Sequence, residues 1–295
     1  MTRDRASAVL ELLKPITWFA PMWAFLCGVI SAGFPISERW MLALGGALLA
    51  GPLVCGTSQA VNDWFDRHVD AINEPRRPIP SGRVPGRWGL GIAVVWTGLS
   101  LAVASVLGLW VLIAAAVGLL LAWAYSAPPV RLKQSGWWGP AAVAVCYEGL
   151  PWFTGAAIMA AALPDARILA LAALYSFGAH GIMTLNDFKA VAGDRAMGIR
   201  SLPVRMGTDR AVRLACTVMT LPQAAVVALL LHWELPLYAA LVALLLGGQM
   251  ILMTRLMRDP EAYAPWYNAT GTTLYVLGML ACAIGLAGST PGATT

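Results

Sequence analysis

Residues 40–70 read WMLALGGALLAGPLVCGTSQAVNDWFDRHVD, an apolar run that is followed at once by a cluster of carboxylates. The apolar part is close to the ~20 residues that a helix needs to cross a bilayer. Asp63, Asp66 and Asp70 are spaced i, i+3, i+7, which places them on one face of a helix. This stretch predicts a membrane helix with an acidic face at one end.

The whole chain has the composition of a membrane protein. It has 295 residues, of which 59% are hydrophobic and 12% charged, whereas soluble domains carry roughly 25% charged residues. Because backbone groups in lipid must bond internally, the apolar segments are expected to be helices. The sequence therefore predicts an all-α polytopic membrane helical bundle. Its nine expected transmembrane helices lie near residues 16–34, 39–60, 88–107, 109–127, 138–163, 166–185, 211–231, 235–254 and 268–288.

The basic residues predict the orientation of this bundle. Of the 20 Lys and Arg residues, all except Arg39 and Arg167 fall at segment ends on one side of the predicted topology. By the positive-inside rule that side, which includes the N-terminus, is cytoplasmic. The net charge of +5 then reflects topology, and no nucleic-acid partner is expected.

A second polar segment resembles the first. Residues 185–207, LNDFKAVAGDRAMGIRSLPVRMG, also begin with Asn-Asp at the end of an apolar segment, and each motif follows the second helix of a four-helix group. This arrangement predicts two four-helix pseudo-repeats plus a ninth helix. Internal repeats in membrane proteins often place the site at their interface, so the two motifs are expected to face a shared cavity.

Clustered carboxylates next to a low-dielectric region repel one another unless a cation neutralises them. Mg²⁺ suits this need because it takes oxygen ligands, uses few protein carboxylates and leaves positions for phosphate; Mn²⁺ is an alternative ion. The two motifs could therefore hold Mg²⁺ on a diphosphate. Arg131 and Lys133, in the connection YSAPPVRLKQSGWWG (residues 125–139), could complete a charge clamp. The alternative reading is a pair of solvated, salt-bridged loops.

These motifs together resemble the UbiA superfamily of intramembrane prenyltransferases. NDWFDRHVD is similar to its first aspartate motif, NDxxDxxxD, and residues 185–207 are similar to the second. The resemblance covers nearly the whole chain, which implies a single domain over residues 1–295. One departure stands in the second motif: many members have NDxxDxEGD, and here Ala190 and Ala192 replace two acids.

The stretches DAINEPRRPIPSG (residues 70–82) and NDFK (residues 186–189) resemble the chlorophyll synthase branch of the superfamily, and GAHGIMTLNDFK (residues 178–189) its bacterial members. This resemblance implies an enzyme that esterifies the propionate of (bacterio)chlorophyllide with a geranylgeranyl or phytyl group from its diphosphate. It also implies a bacterial inner or photosynthetic intracytoplasmic membrane, a cytoplasmic active site, and pigment-delivery or light-harvesting assembly proteins as possible partners.

The resemblance and the residue chemistry together assign roles. Five carboxylates are expected to hold Mg²⁺: Asp63, Asp66, Asp70, Asp187 and Asp194. All of them except Asp70 are also expected to be catalytic. Polar and cationic side chains are expected to bind the diphosphate: Asn62, Arg67, Arg131, Lys133, Asn186 and Lys189. Three side chains are candidates for the pigment pocket: His180, Glu148 and Tyr125. His180 stands seven residues before Asp187 and is expected on the same helix face.

Two alternatives remain from the sequence. One is a UbiA-type prenyltransferase that acts on another acceptor, in a quinone or haem pathway, since it would share the diphosphate site. The other is a transporter with inverted repeats and intramembrane ions. Against transport, both acidic motifs fall on the same predicted side of the membrane and not at its midplane.

Overall fold

The computed structural model describes residues 3–196 and 198–289, and its regular structure is helical. Within those residues the only bridge between extended segments is an isolated one, from Ser135 to Arg200. The helices are α1 (Arg3–Leu12), α2 (Phe19–Ser31), α3 (Ile36–Leu48), α4 (Gly56–Asn73), α5 (Trp88–Leu107), α6 (Leu109–Ser126), α7 (Trp138–Ala144), α8 (Leu150–Ala160), α9 (Ala166–Leu185), α10 (Val191–Ala196), α11 (Leu202–Met206), α12 (Thr208–His232), α13 (Pro236–Leu256) and α14 (Pro260–Ala287).

Eight helical runs of the described chain are long and apolar enough to cross a membrane. Two of them contain a π-helical turn: Leu49–Cys55 joins α3 to α4, and Val145–Gly149 joins α7 to α8. A ninth span results if Arg5–Thr17 and Phe19–Ser31, which meet at 56°, form one broken span. The all-helical membrane fold is thus confirmed, while the division into two repeats plus one helix stays a prediction.

The predicted helix ends differ in how well they agree with the structure. The segments predicted at 88–107 and 166–185 coincide with α5 and α9. Beyond the apolar segment predicted to end near residue 60, helix α4 continues to Asn73, as the helical spacing of the three aspartates predicts. Hydropathy marks only the lipid-facing part of a helix, whereas the hydrogen-bonded backbone continues into the polar region. The first acidic motif therefore lies on the helix itself.

Glycines let helices α2 and α8 approach closely. A Cβ at Gly28 would lie 2.0 Å from the Trp152 carbonyl oxygen, and one at Gly155 would lie 2.1 Å from that of Phe25. Small residues at such crossings are typical of membrane helix pairs, since lipid gives no hydrophobic drive for association. The buried Trp152 indole donates to the Ser31 hydroxyl at 3.1 Å, which fixes the register of this pair.

A second, smaller core holds the N-terminal helix α1 against α4 and α5. Its buried members include Leu12 and Leu13 from the α1 region and Val61 from α4. This packing brings Lys14, immediately after Leu13, to the acidic end of α4. Burial of these apolar side chains, each contributing about 1.5–3 kcal/mol, is what positions the cation.

Candidate active site

Helix α4 presents the three aspartates of the first motif on one face, as the spacing predicts. Asp63 and Asp70 are buried, and Asp66 is partly exposed. They stand near the end of the 38-residue run Ile36–Asn73, one of the candidate membrane spans. Buried carboxylates are costly unless paired, so their partners decide what this face can do.

Each of these carboxylates contacts a cation from outside helix α4. Lys14 Nζ lies 2.7 Å from Asp63 Oδ1. Arg77 Nη1 lies 3.4 Å from the same oxygen and 2.9 Å from Asp70 Oδ2. Asp66 accepts a hydrogen bond from Lys133. The first aspartate motif is therefore surrounded by three segments: the turn after α1, the loop after α4 and the α6–α7 connection.

The Lys133 ammonium lies on a 3-10 turn, Leu132–Gln134, next to the first motif. Burial lowers the pKa of Lys133, and the hydrogen bond and charge of Asp66 oppose this shift. Arg131 Nη2 lies 4.0 Å from Asp66 Oδ1. The structure thus brings together two of the cations predicted to bind diphosphate.

The second motif follows the end of a helix. Helix α9 ends at Leu185 with Asn186 as its C-cap, and a 3-10 turn, Phe188–Ala190, follows. Asp187 and Asp194 therefore do not share the face of one continuous helix. Asp187 is partly exposed on the turn. Asp194 itself is buried in α10.

Tyr125 stands at the end of helix α6, next to Ser126. Asn62 donates to the Ser126 hydroxyl at 3.3 Å. The end of helix α6, with Tyr125, is therefore joined to the first aspartate motif.

Three predicted diphosphate ligands lie in different settings. Arg67 is not brought to the carboxylates: it donates to the Trp64 carbonyl at 2.7 Å and stacks 4.1 Å over the Trp64 ring. Asn186 accepts a hydrogen bond from Asn268 of α14 at 3.2 Å. Lys189 is exposed on the turn that follows Asp187.

His180 and Glu148 are buried in the helical bundle. His180 Nε2 lies 3.1 Å from the Trp137 carbonyl, to which it donates, and the two rings are 4.3 Å apart. The expectation that His180 shares a helix face with Asp187 is wrong, because α9 ends before Asp187. Glu148 lies in the π-helical turn that joins α7 to α8, and its Oε2 has no hydrogen-bond partner among the described residues.

The α6–α7 connection is held against the segment that follows the second motif. Gly136 N donates to the Arg200 carbonyl at 2.9 Å, and Arg200 N donates to the Gln134 carbonyl at 3.2 Å. A Cβ at Gly136 would lie 2.4 Å from Leu202 N. Only glycine fits this contact, so the loop that carries Lys133 is fixed relative to the second half of the chain.

The donor set fits a magnesium ion that completes its shell with phosphate and water. Asp63 Oδ2 is buried and unpaired within the part of the chain that the structure describes. In residues 3–196 and 198–289, no three His, Cys, Asp or Glu side chains converge on a metal position. A few separate carboxylates with a free oxygen are typical of Mg²⁺ sites that include substrate phosphates.

The spans and the acidic cluster define a multi-pass helical membrane protein with a polar site at the ends of its helices. Comparison with known proteins assigns the family. The model of the UbiA prenyltransferase family matches residues 20–277. The chain is 59% identical over 281 residues to the bacteriochlorophyll synthase 33 kDa chain of Cereibacter sphaeroides, with 95% of this chain and 93% of that protein covered. It is 38% identical to the chloroplastic chlorophyll synthase of Arabidopsis thaliana, with 93% and 73% covered.

A solved UbiA homolog from Archaeoglobus fulgidus, bound to GPP and Mg²⁺, has a similar fold. The TM-score is 0.67 at 22% identity, covering 95% of this chain and 98% of that one. This chain belongs to the UbiA prenyltransferase family and is a prenyltransferase enzyme. The resemblance inferred from the two aspartate motifs is confirmed.

The sequence missed three side chains that the structure places at the site. Lys14 and Arg77 contact the first motif, and Asn268 contacts the second. The signal for Lys14 was its positive charge at the predicted cytoplasmic side, which every loop cation shares. Arg77 has the same charge and also lies in the stretch that resembles the chlorophyll synthase branch. Asn268 lies within α14, at the first residue of the span that hydropathy predicts, and nothing in that position indicates a contact with Asn186.

Proposed function

We propose that this protein is a bacteriochlorophyll synthase: it esterifies the propionate of bacteriochlorophyllide with a geranylgeranyl or phytyl group from its diphosphate. The observation that carries this proposal is 59% identity over 95% of the chain to a bacteriochlorophyll synthase. Identity of 38% to a plant chlorophyll synthase supports the same reaction type. A chlorophyllide is the alternative acceptor within this proposal.

In the proposed site the carboxylates of both motifs hold the metal: Asp63, Asp66, Asp187 and Asp194, with Asp70 in a supporting place. Bound Mg²⁺ would supply positive charge to the departing diphosphate. Lys133 and Arg131, both next to Asp66, are near enough to bind diphosphate oxygens there. Preorganised cations of this kind stabilise charge that develops during ionisation of the allylic diphosphate. Asn62 and Asn186 would orient phosphate or water.

The acceptor chemistry is consistent with the reduced second motif. A propionate carboxyl in water has a pKa of about 4, so it is already ionised at neutral pH and attacks the allylic carbon without a general base. An aromatic acceptor would have to lose a ring proton. Alanine at positions 190 and 192, where many relatives have acids, therefore removes nothing that ester formation requires.

The site position suits two amphipathic substrates. The prenyl tail would lie among the apolar helices while its diphosphate stays at the polar ends of α4 and α9. We place this face, with the N-terminus, on the cytoplasmic side of a bacterial inner or intracytoplasmic membrane, following the distribution of Lys and Arg. The whole chain, residues 1–295, would act as one domain, with protein partners in pigment delivery or assembly.

The test is a product assay in membranes that contain the protein. Geranylgeranyl diphosphate and Mg²⁺ are supplied with bacteriochlorophyllide, chlorophyllide or 4-hydroxybenzoate, and products are separated by chromatography and identified by mass spectrometry. The proposal expects an esterified bacteriochlorophyllide that disappears with EDTA and with Asp66→Asn, but not with Asp209→Asn, an exposed acid on α12. Prenylation of hydroxybenzoate alone would assign the enzyme to another UbiA acceptor class.

A further inference from the structure

Asp63 uses one oxygen for two cations. Its Oδ1 lies 2.7 Å from Lys14 Nζ and 3.4 Å from Arg77 Nη1. The carboxylate is buried, whereas the side chains of Lys14 and Arg77 are each 25% exposed. A divalent ion that binds Asp63 must therefore share this carboxylate with, or take it from, two positive charges.

Lys14 is held in place by its surroundings. Thr17 Oγ1 donates to the Lys14 carbonyl and Trp18 Nε1 to the Leu13 carbonyl, both at 2.8 Å. These bonds fix the turn between α1 and α2. The backbone of Lys14 is left-handed, at φ 46° and ψ 70°. The Lys14 side chain itself is long and 25% exposed, so its ammonium can change partners while this backbone stays in place.

Arg77 has a second anchor outside the buried site. Its Nε and Nη2 bond both oxygens of Glu74 at 2.7 Å, and the Glu74 side chain is 55% exposed. Its Nη1 points to Asp70 at 2.9 Å and to Asp63. Arg77 could therefore turn away from the two aspartates and remain held at the rim by Glu74.

We propose that Lys14 and Arg77 are internal counter-ions that compete with the divalent metal for the first aspartate motif. A diphosphate would relieve this competition, because its oxygens attract both cations away from Asp63 and Asp70. Metal and diphosphate then bind cooperatively, and neither binds tightly alone. The inference rests on the proposed diphosphate site but not on the identity of the acceptor.

The physical reason is the repulsion between like charges at short range. A unit charge 3–4 Å from a divalent ion opposes its binding strongly when the site is partly buried, and surface screening reduces the effect. Cooperativity of this kind is reciprocal: diphosphate must raise metal affinity by the same factor by which metal raises diphosphate affinity. A site without internal counter-ions would bind the metal alone more tightly.

The experiment uses the full-length protein, purified in detergent. Binding of Mn²⁺, as the spectroscopic probe, is measured by electron paramagnetic resonance with and without inorganic diphosphate. Lys14→Met and Arg77→Met are compared with wild type and with Arg83→Met. Arg83 is the matched control. It lies in the loop after α4, as Arg77 does, and pairs at 2.5 Å with Glu11 of α1, the helix that precedes Lys14. Its salt bridge is to Glu11 and not to Asp63.

Without diphosphate, Lys14→Met and Arg77→Met are expected to bind Mn²⁺ roughly tenfold more tightly than wild type, the order expected for removing one adjacent charge. Their affinity for diphosphate should fall in the same preparations. Arg83→Met should match wild type in both measurements. Opposite changes in metal and diphosphate affinity are the signature of a competing cation, whereas a structural role would weaken both.

Unchanged or weaker Mn²⁺ binding in Lys14→Met and Arg77→Met, with a melting temperature equal to wild type, would overturn the proposal. If those variants do not fold, two other measurements test the proposal. Lys14→Arg, which keeps the positive charge, must bind Mn²⁺ with the wild-type affinity. The wild-type protein must bind Mn²⁺ more tightly when diphosphate is present. Failure of either overturns it. None of these readouts includes a tetrapyrrole, so esterification of another acceptor would remove the proposed function and leave this result intact.

Discussion

Lys133 offers the most specific electrostatic prediction. Its side chain is 15% exposed and hydrogen-bonds Asp66, which is 23% exposed. Two unit charges 4 Å apart interact by about 4 kcal/mol at an effective dielectric constant of about 20. Partial solvent exposure reduces this to about 2–3 kcal/mol for a contact with departing diphosphate. We therefore expect Lys133→Met to lower kcat/KM roughly 30- to 150-fold.

The protonation of Lys133 gives the same prediction a second, independent readout. Burial lowers the pKa of this ammonium from the ordinary value of 10.5, so alkaline pH neutralises it earlier than an exposed lysine. Arginine stays charged throughout, and Lys133→Arg should move the alkaline limb of kcat/KM to higher pH. Between the lowered pKa and 10.5 the unfolded chain binds more protons, so the contribution of this group to the free energy of unfolding rises with pH.

The assay for both variants is initial-rate prenyl transfer at saturating Mg²⁺ across a pH series. Arg213→Met, which removes an exposed cation from α12, is the control for a general change in charge. Equal kcat/KM values for Lys133→Met and Arg213→Met would refute the assigned contact. An alkaline limb that does not move in Lys133→Arg would show that another group titrates there.

Two further predictions concern glycines at close contacts. Gly136→Ala should place a methyl group 2.4 Å from Leu202 N and separate the α6–α7 connection from the segment that follows the second motif. Prenyl transfer should fall at least tenfold, while the melting temperature changes little. An active variant would contradict the role of this contact in placing Lys133. Gly155→Val should force helix α8 away from the Phe25 carbonyl of α2 and reduce the free energy of unfolding by about 1–3 kcal/mol. Thermal unfolding in detergent measures this change. Wild-type stability would show that α2 and α8 move apart without cost.

Hydropathy and charge were sufficient to predict the membrane fold, but not its local irregularities. The segments 88–107 and 166–185 agree with the observed helices because both of their ends are set by a change from apolar to polar residues or by glycine. The π-helical turn Leu49–Cys55 around Pro52 could not be predicted, since a proline within an apolar run is equally compatible with a kink. Its geometry depends on neighbouring helices.

The first acidic face was predictable because helical spacing alone places its three carboxylates together. The arrangement of the second acidic motif was not predictable, because helix α9 ends at Leu185 and the separation of Asp187 from Asp194 depends on a 3-10 turn. The partners of the first motif are also invisible in sequence. Lys14 and Asp63 are joined only by the packing of α1 on α4, a long-range contact that charge patterns cannot distinguish from ordinary loop cations.

The central claim is that the two aspartate motifs form one metal–diphosphate site. A double-mutant cycle of Asp66→Asn and Asp187→Asn tests it, with the Mg²⁺-dependent dissociation constant of an unreactive geranylgeranyl thiolo-diphosphate as the measurement. If the motifs share one site, each single change weakens binding about tenfold or more, and the double variant is weakened little beyond the worse single one. Free-energy changes that simply add, or a silent change at either position, would contradict a shared site.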